Sequence, residues 1–386
     1  MRRIELFEPL HLKTQIAGQV LDLDLSAFLP GEDRDLRHIS RAVPMAIAAA
    51  EESIRDSQLD TRNMDIDELR QFGVCIGSGG GTAEFAERQY SIYYGRERLR
   101  RLSVYNVPSS TTGTLSSEIS IYFGLRGLSH VISDGCTSST DAIGYAFYHI
   151  RSGRLDRVLT GGVDATITPA IMTGFDTMRI LSSRWNESPE KASRPFDAGR
   201  DGFVLGEGAW MFMLEREDLA RMRGARIYGE IRGYGASCEA YHRVKLRDPT
   251  ESARAMRMAI EEAGLAVDDL GHIQMHGTAT SMNDPLETQA VKLAVGPAAR
   301  RIPCSSIKSM IGHPQGASGS AGLATALLPL VDNVLPPTIN LDNPDPECDL
   351  DFVPHRSRAC RCDAVLINTL AFGSKNAALV VGRYVA

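Results

Sequence analysis

The 386-residue sequence predicts an α/β protein of two similar halves, each a sheet flanked by helices. Apolar runs of strand length alternate with stretches of helical periodicity, the alternation occurs twice in the same order, and no low-complexity linker separates the two rounds. The length exceeds that of a usual single domain and suits two halves of roughly 150–200 residues or one fused double core.

The first round opens with a helix over Ser40 to Arg55, where Val43, Ala46, Ile47, Ala50 and Ile54 keep amphipathic spacing. QFGVCIGSGGG (71–81) reads as a buried strand running into a glycine loop, and RERLRR (96–101) as a solvated helix face. VISDGC (131–136) is a strand ending in a turn, and TSSTDAIGYAFYHIR (137–151) a helix with Ile143, Ala146, Phe147 and Ile150 on one face. VLTGGVD (158–164) and EGAWMFMLE (207–215) are further strands. Around RMRGARIYGEIRGYG (221–235) the chain leaves one core and begins another, so the halves are expected to be 1–222 and 223–386. The second round runs through helix 252–264, strand HIQMHG (272–277), helix 284–295, a strand near 303–307, an alanine- and leucine-rich helix at about 316–332, and the final strands 365–372 and 377–385.

Composition narrows the function classes. With 43% hydrophobic and 23% charged residues the chain is an ordinary globular protein rather than a disordered one. A formal charge of −6 gives no reason to expect nucleic acid or an anionic membrane as a partner. The opening MRRIELFEPLHLK lacks the apolar core and cleavage site of a secretory signal, and no 18-residue uncharged apolar run is present. Seven scattered cysteines suit reduced thiols, so a cytoplasmic protein is expected. Cys360 and Cys362 are close in sequence but no CxxC pair exists, and no metal site is expected.

Cys136 is the candidate nucleophile. It stands where an apolar strand gives way to a helix, after Gly135 and before Thr137, Ser138 and Ser139. Unpaired N–H groups and the positive dipole end at a helix start stabilise a thiolate, which is expected to lower the thiol pKa to ~3.5–7.5. The same N–H groups can hold the oxyanion of a tetrahedral intermediate. An isolated cysteine is more often an inert core residue; the strand–turn–helix setting and two histidines shift the balance here. His276 opens the glycine- and threonine-rich HGTAT, and His313 lies among small residues in SSIKSMIGHPQGASGSAG, five residues after Lys308. Two neutral imidazoles presenting N–H groups suit the enolate that forms when a malonyl thioester loses CO2. A charged Lys308 is expected to pair with Glu287, stiffening this shell and discouraging either histidine from protonating. His130, His149, His242, His272 and His355 read as structural or surface residues.

Together these segments strongly resemble the β-ketoacyl synthases, condensing enzymes of the thiolase-like superfamily. SDGCTSS, HGTAT and SSIKSMIGH occur in the family's order and approximate spacing, and the likeness continues through RPFDAGRDGFVLGEGA (194–209), GGVDATITP (161–169) and LPPTINLDNPDPECDLDFVP (335–354). The resemblance implies the thiolase-like fold, with a mixed five-stranded sheet in each half and α-β-α-β-α layers. It implies that Cys136 carries the acyl chain, that His276 and His313 support decarboxylation and condensation, and that Lys308 and Glu287 organise them. Phe372 in LAFGSKN matches a gating aromatic whose N–H joins that of Cys136 in the oxyanion hole. Thr278, Thr280, Phe203, Phe372 and Gly373 fall to substrate binding. No cofactor of its own is implied, because the phosphopantetheine arm travels on an acyl carrier protein. That carrier is the implied partner, with a homodimer or a heterodimer with a ketosynthase-like chain-length partner.

Two histidines, rather than His with Asn, resemble the elongating branch, and GCTSSTDAIGYA, SSIKSMIGH and PECDLDFVP are most similar to ketosynthase subunits of type II polyketide synthases. Three departures stand out. The family's opening strand, of the kind VVITGLG, is not found before MRRIELFEP. Either the start is truncated or the first half-sheet lacks a strand, and an uncovered central strand would be an aggregation liability. FGSKN replaces a gate loop with two glycines after Phe-Gly, so Ser374 and Lys375 are expected to stiffen the gate or alter what passes. PSSTTGT (108–114) puts small polar residues where the family lines its acyl pocket at the dimer interface. A degradative thiolase needs a second reactive cysteine in a glycine-rich C-terminal turn, a setting that Cys348, Cys360 and Cys362 lack. A non-catalytic chain-length-factor-like partner subunit is the alternative, and Cys136 argues against it.

Overall fold

The computed structural model describes residues 1–28, 35–95 and 99–385. Residues 96–98 of the basic RERLRR segment therefore lie outside the described residues; Leu99–Arg101 is an exposed 3-10 turn.

Apolar strands buried on both faces favour parallel pairing beneath helices, and the first sheet is built this way. Its strands are β1 (Phe72–Gly77), β2 (Ser129–Ile132), β3 (Arg157–Asp164) and β4 (Gly208–Glu215). They are ordered β2-β1-β3-β4, with β4 alone antiparallel. The second sheet comprises β5 (Glu230–Cys238), β6 (Leu270–Gln274), β7 (Cys304–Ser305), β8 (Ala364–Ala371) and β9 (Lys375–Gly382). Its order is β5-β9-β8-β6-β7, with β8 parallel to β6 and antiparallel to β9. The two orders superimpose as a repeat: β1, β2, β3 and β4 correspond to β6, β7, β8 and β9.

Five layers follow. Helix α1 (Ala42–Asp56) packs its Val43, Ala46, Ile47 and Ala50 face on the outside of the first sheet. Helices α2 (Ser138–Arg151) and α5 (Ser318–Val331) touch each other and both sheets, forming the shared central layer. Helices α3 (Thr250–Glu262) and α4 (Asn283–Val295) cover the outside of the second sheet. The central layer matters for function because α2 and α5 both begin at the same point between the halves.

The five strands expected per half are present in the second half; the first sheet has four among the described residues. Among the described residues no strand pairs with β4 on the side that corresponds to β5 beside β9, so the missing position is at the edge of the sheet. The uncovered central strand considered from the sequence is not found. A recess of about 450 Å³ runs beside this edge, lined by Ala48 and Ala49 of α1 and Ala209 and Trp210 of β4. It is separate from the site around Cys136.

Candidate active site

Cys136 sits in a 3-10 turn, Gly135–Thr137, between β2 and α2. Gly135 has φ 69°, a left-handed conformation that costs glycine little, and it turns the chain so that the next side chain points inward. Gly77 lets the start of α2 lie directly on β1: a Cβ there would fall 2.2 Å from Ser139 N. The two histidines come from the other half. His276 follows β6 and His313 follows the short helix Lys308–Ile311. The His313 N–H donates to Val204 O at 2.8 Å and Gly206 N–H donates to His313 O at 3.0 Å, so the first half holds His313 by its backbone.

The three side chains meet. Cys136 Sγ is 3.2 Å from His313 Nε2, and the His276 and His313 rings stand edge to face with centroids 5.2 Å apart. Sγ and one ring nitrogen from each histidine lie within 4.8 Å of one another. Exposures of 6% for Cys136 and 3% for each histidine make the site dry and almost closed. These atoms are near enough for proton transfer, and in kind they could also ligate a metal; the sequence reading expects none. Phe203 packs edge-on against His313, with centroids 5.2 Å apart.

Supporting bonds fix the rings. Ser318 Oγ at the start of α5 is 3.0 Å from His313 Nδ1. In the tautomer that gives the Nδ1 proton to Ser318, Nε2 accepts from the Cys136 thiol. Lys308 Nζ donates to His276 O at 2.7 Å and lies 3.3 Å from His276 Nδ1. Glu287 on α4 accepts from His276 N at 2.6 Å, Gly277 N at 2.8 Å and Asn368 Nδ2 at 2.8 Å. The expected Lys308–Glu287 ion pair is therefore corrected. Lys308 bonds the His276 carbonyl while Glu287 takes the His276 and Gly277 N–H groups, so the two charges act on each other without an ion pair within 4.0 Å among the described residues.

Charge in this site is governed by burial. Desolvation, then the Lys308 cation, holds both His276 and His313 well below the usual imidazole range, so both rings are neutral; His313 adds to the effect on His276. Burial lowers Lys308 to about 8, with the Glu287 carboxylate opposing the shift. Burial also pushes the Cys136 thiol up to about 12, against the pull of Lys308 and with Asp164 adding to the rise. This corrects the thiolate expected from the helix start. The cysteine precedes the first residue of α2 and is sealed from water, and desolvation outweighs the dipole. Cys136 therefore rests as a thiol, beside a ring nitrogen that can accept its proton.

The remaining expected residues divide. Thr278 and Thr280 follow His276, but their hydroxyls are 3.0 Å apart and bond each other, and Thr278 N–H donates to Asp284 at 3.0 Å. Phe372 is 39% exposed on the turn between β8 and β9, and its carbonyl lies near Gly135. Gly373 is exposed on that same turn. Sequence reasoning missed Ser318, Asn368, Asp284 and Asp164. Asp164 accepts from Gly79 N at 2.9 Å, Gly80 N at 2.8 Å, Ser78 Oγ at 2.9 Å and Gly316 N at 2.6 Å, tying the two halves together beneath the site. Its place as a carboxylate at the end of a fully buried strand was the available signal.

Fold and site define a class: a duplicated five-layer α/β protein in which one thiol from the first half meets two imidazoles from the second. Residues 10–220 match the β-ketoacyl synthase N-terminal domain and residues 228–342 its C-terminal domain. The chain belongs to the β-ketoacyl synthase family. It is 39% identical to the granaticin polyketide putative beta-ketoacyl synthase 1 of Streptomyces violaceoruber, over 99% of this chain and 91% of that protein. It is 38% identical to 3-oxoacyl-[acyl-carrier-protein] synthase 2 of Synechocystis sp., over 96% and 88%. Among solved structures it resembles the ishigamide ketosynthase/chain length factor, with TM-score 0.90, 30% identity and coverage of 100% and 92%. It also resembles a chain from a type II polyketide synthase acyl carrier protein in complex with its ketosynthase, with TM-score 0.89, 29% identity and coverage of 99% and 91%. No helix among the described residues is long and apolar enough to cross a membrane.

Proposed function

We propose that this chain takes an acyl group from an acyl carrier protein onto Cys136 and condenses it with malonyl carrier protein, extending a polyketide or fatty acyl chain. The observation that carries this reading is the meeting of Cys136 Sγ with both imidazoles within 4.8 Å in a dry interior. In the first step His313 accepts the thiol proton, sulfur attacks the donor thioester, and the proton passes to the departing carrier thiolate. In the second, the malonyl carboxylate leaves as CO2, and its electrons form an enolate whose oxygen is held by N–H groups of the neutral imidazoles, His313 now in its other tautomer with the proton on Nε2 and Ser318 Oγ donating to Nδ1. The enolate carbon attacks the Cys136 thioester, and the freed thiolate takes a proton from solvent.

Lys308 and Glu287 act here as positioning residues that set His276, Lys308 through its carbonyl and Glu287 through its N–H. Backbone N–H groups of Cys136 and Phe372 serve the oxyanion. Phe203, Thr278, Thr280, Phe372 and Gly373 line the way in. The phosphopantetheine arm on the carrier is the only prosthetic group required. The halves meet at 222/223, and the subunit pairs with a second copy or with a chain-length partner. A thiol 3.2 Å from a histidine supports the catalytic reading over the non-catalytic subunit.

Incubation with acyl carrier protein thioesters should add one acyl group at Cys136 by intact mass, and Cys136→Ala should take none. His276→Ala should still acylate but release no CO2 from malonyl carrier protein. A wild-type protein that stays unmodified by short, long and unsaturated donors refutes the proposal.

A further inference from the structure

Cys360 and Cys362 take no part in the site around Cys136, yet they face each other. They lie just before β8, and their Sγ atoms are 3.9 Å apart. No other two thiols are bonded to each other among the described residues. The two differ in access: Cys360 is half-buried at the surface, whereas Cys362 is 1% exposed. The Cys362 sulfur rests on Gly271 of β6, where a Cβ would fall 2.7 Å from it. The backbone around the pair is held. Cys360 N–H donates to Asn333 O at 2.8 Å, and Arg383 Nε donates to Cys362 O at 3.0 Å. An S–S bond is about 2.05 Å long, so the sulfurs need to close by about 1.9 Å, which rotation of the half-buried Cys360 side chain supplies without moving that backbone.

We propose that Cys360 and Cys362 form a reversible oxidation site, a dithiol that closes to an intramolecular disulfide by exchange with a low-molecular-weight disulfide. In the first step the Cys360 thiol releases its proton and its sulfur attacks one sulfur of the reagent. The reagent's S–S bond breaks, and the departing thiolate takes up a proton. In the second step the Cys362 thiol releases its proton, and its sulfur attacks the Cys360 sulfur and expels the other half of the reagent as a second thiol. The protein loses two electrons and two protons, and the reagent gains both. Access sets the order, since a reagent meets Cys360 at the surface and Cys362 lies beneath it, the arrangement of an attacking and a resolving cysteine. Burial, with Cys360 adding to it, pushes the Cys362 thiol up to about 12, which also leaves the first attack to its neighbour. The loop closed contains a single residue, Arg361, so the bond adds little stability through chain entropy and a thiol reductant reopens it.

The test treats the native full chain with oxidised glutathione, blocks the remaining thiols with iodoacetamide in denaturant, and digests with trypsin. Cleavage after Arg358, Arg361 and Lys375 separates residues 359–361 from 362–375 when both thiols are reduced, and a disulfide keeps the two peptides joined. The expected result is a joined pair in the wild type that is lost on adding dithiothreitol. Cys362→Ser should lose the joined pair and hold one glutathione on Cys360 instead. Cys360→Ser should lose the joined pair and carry no glutathione on Cys362. Cys362→Ala takes the place of Cys362→Ser if a serine does not fold at the buried position. A wild type in which both thiols stay open to alkylation at every glutathione concentration overturns the proposal. So does a glutathione adduct on Cys360 that never passes to Cys362, or an adduct on Cys362 in Cys360→Ser. These readouts need no carrier protein, so they stand apart from the outcome of the acylation experiment.

Discussion

Gly316 offers the sharpest test of how the two halves build the site. Its backbone lies against the loop after β1: a Cβ placed on it would fall 2.1 Å from Gly79 N and 2.7 Å from Ser78 C. Both neighbours are main-chain atoms and cannot rotate away. Ordinary contact begins near 3.4 Å, so Gly316→Ala must part the two segments by about 1.3 Å. That movement lengthens the 2.6 Å bond from Gly316 N to Asp164, and it carries His313, three residues earlier, away from Cys136. Overpacking of this kind costs about 1–3 kcal/mol. A displacement of about 1 Å at reacting groups costs roughly 100-fold in rate. Urea unfolding should show the stability loss, and CO2 release from malonyl carrier protein the rate loss. Gly113→Ala is the control, since nothing lies within 4 Å of its added methyl. If Gly316→Ala unfolds within about 0.5 kcal/mol of wild type and decarboxylates within about twofold, the close approach of the halves does not position His313.

Two further outcomes follow from charge. Lys308 at about 8 should give decarboxylation an alkaline limb near that pH, because the cation that orders His276 is lost above it. Lys308→Met should abolish that limb in a pH–rate profile and lower the rate, and an unchanged profile would exclude Lys308 from the step. His272, fully buried in β6 beside Ser305, has its pKa held down to about 3 by desolvation. The unfolded chain takes a proton there below about 6.5 and the folded chain only near 3, so stability is full above 6.5 and is lost as pH falls. The loss from this residue is about 2 kcal/mol at pH 5, and His272→Gln should show a flatter dependence of urea midpoint on pH between 7 and 5.

Much of this architecture is legible in the chain alone. The helix periods of α1 and α2 and the apolar runs of β1, β3 and β8 appear where expected, because a residue buried on one helix face or in a two-sided sheet must be apolar. Element ends drift by one to several residues, as with β6, which stops at Gln274 and leaves His276 in the turn. The partner of Glu287 was misjudged because opposite charges in sequence say nothing of whether backbone N–H groups reach the carboxylate first. Ser318 and Asp164 escaped notice for the same reason: each acts on an atom more than a turn away or in the other half.

The sequence by itself determined the residue types, their order and the duplicated alternation, since patterns of apolarity and small residues are local properties. Only the tertiary structure decided the charge states and the geometry. Whether Cys136 is thiol or thiolate depends on how much water is excluded around it. Whether Cys136 meets His313 depends on how two sheets, far apart in the chain, come to share one central layer.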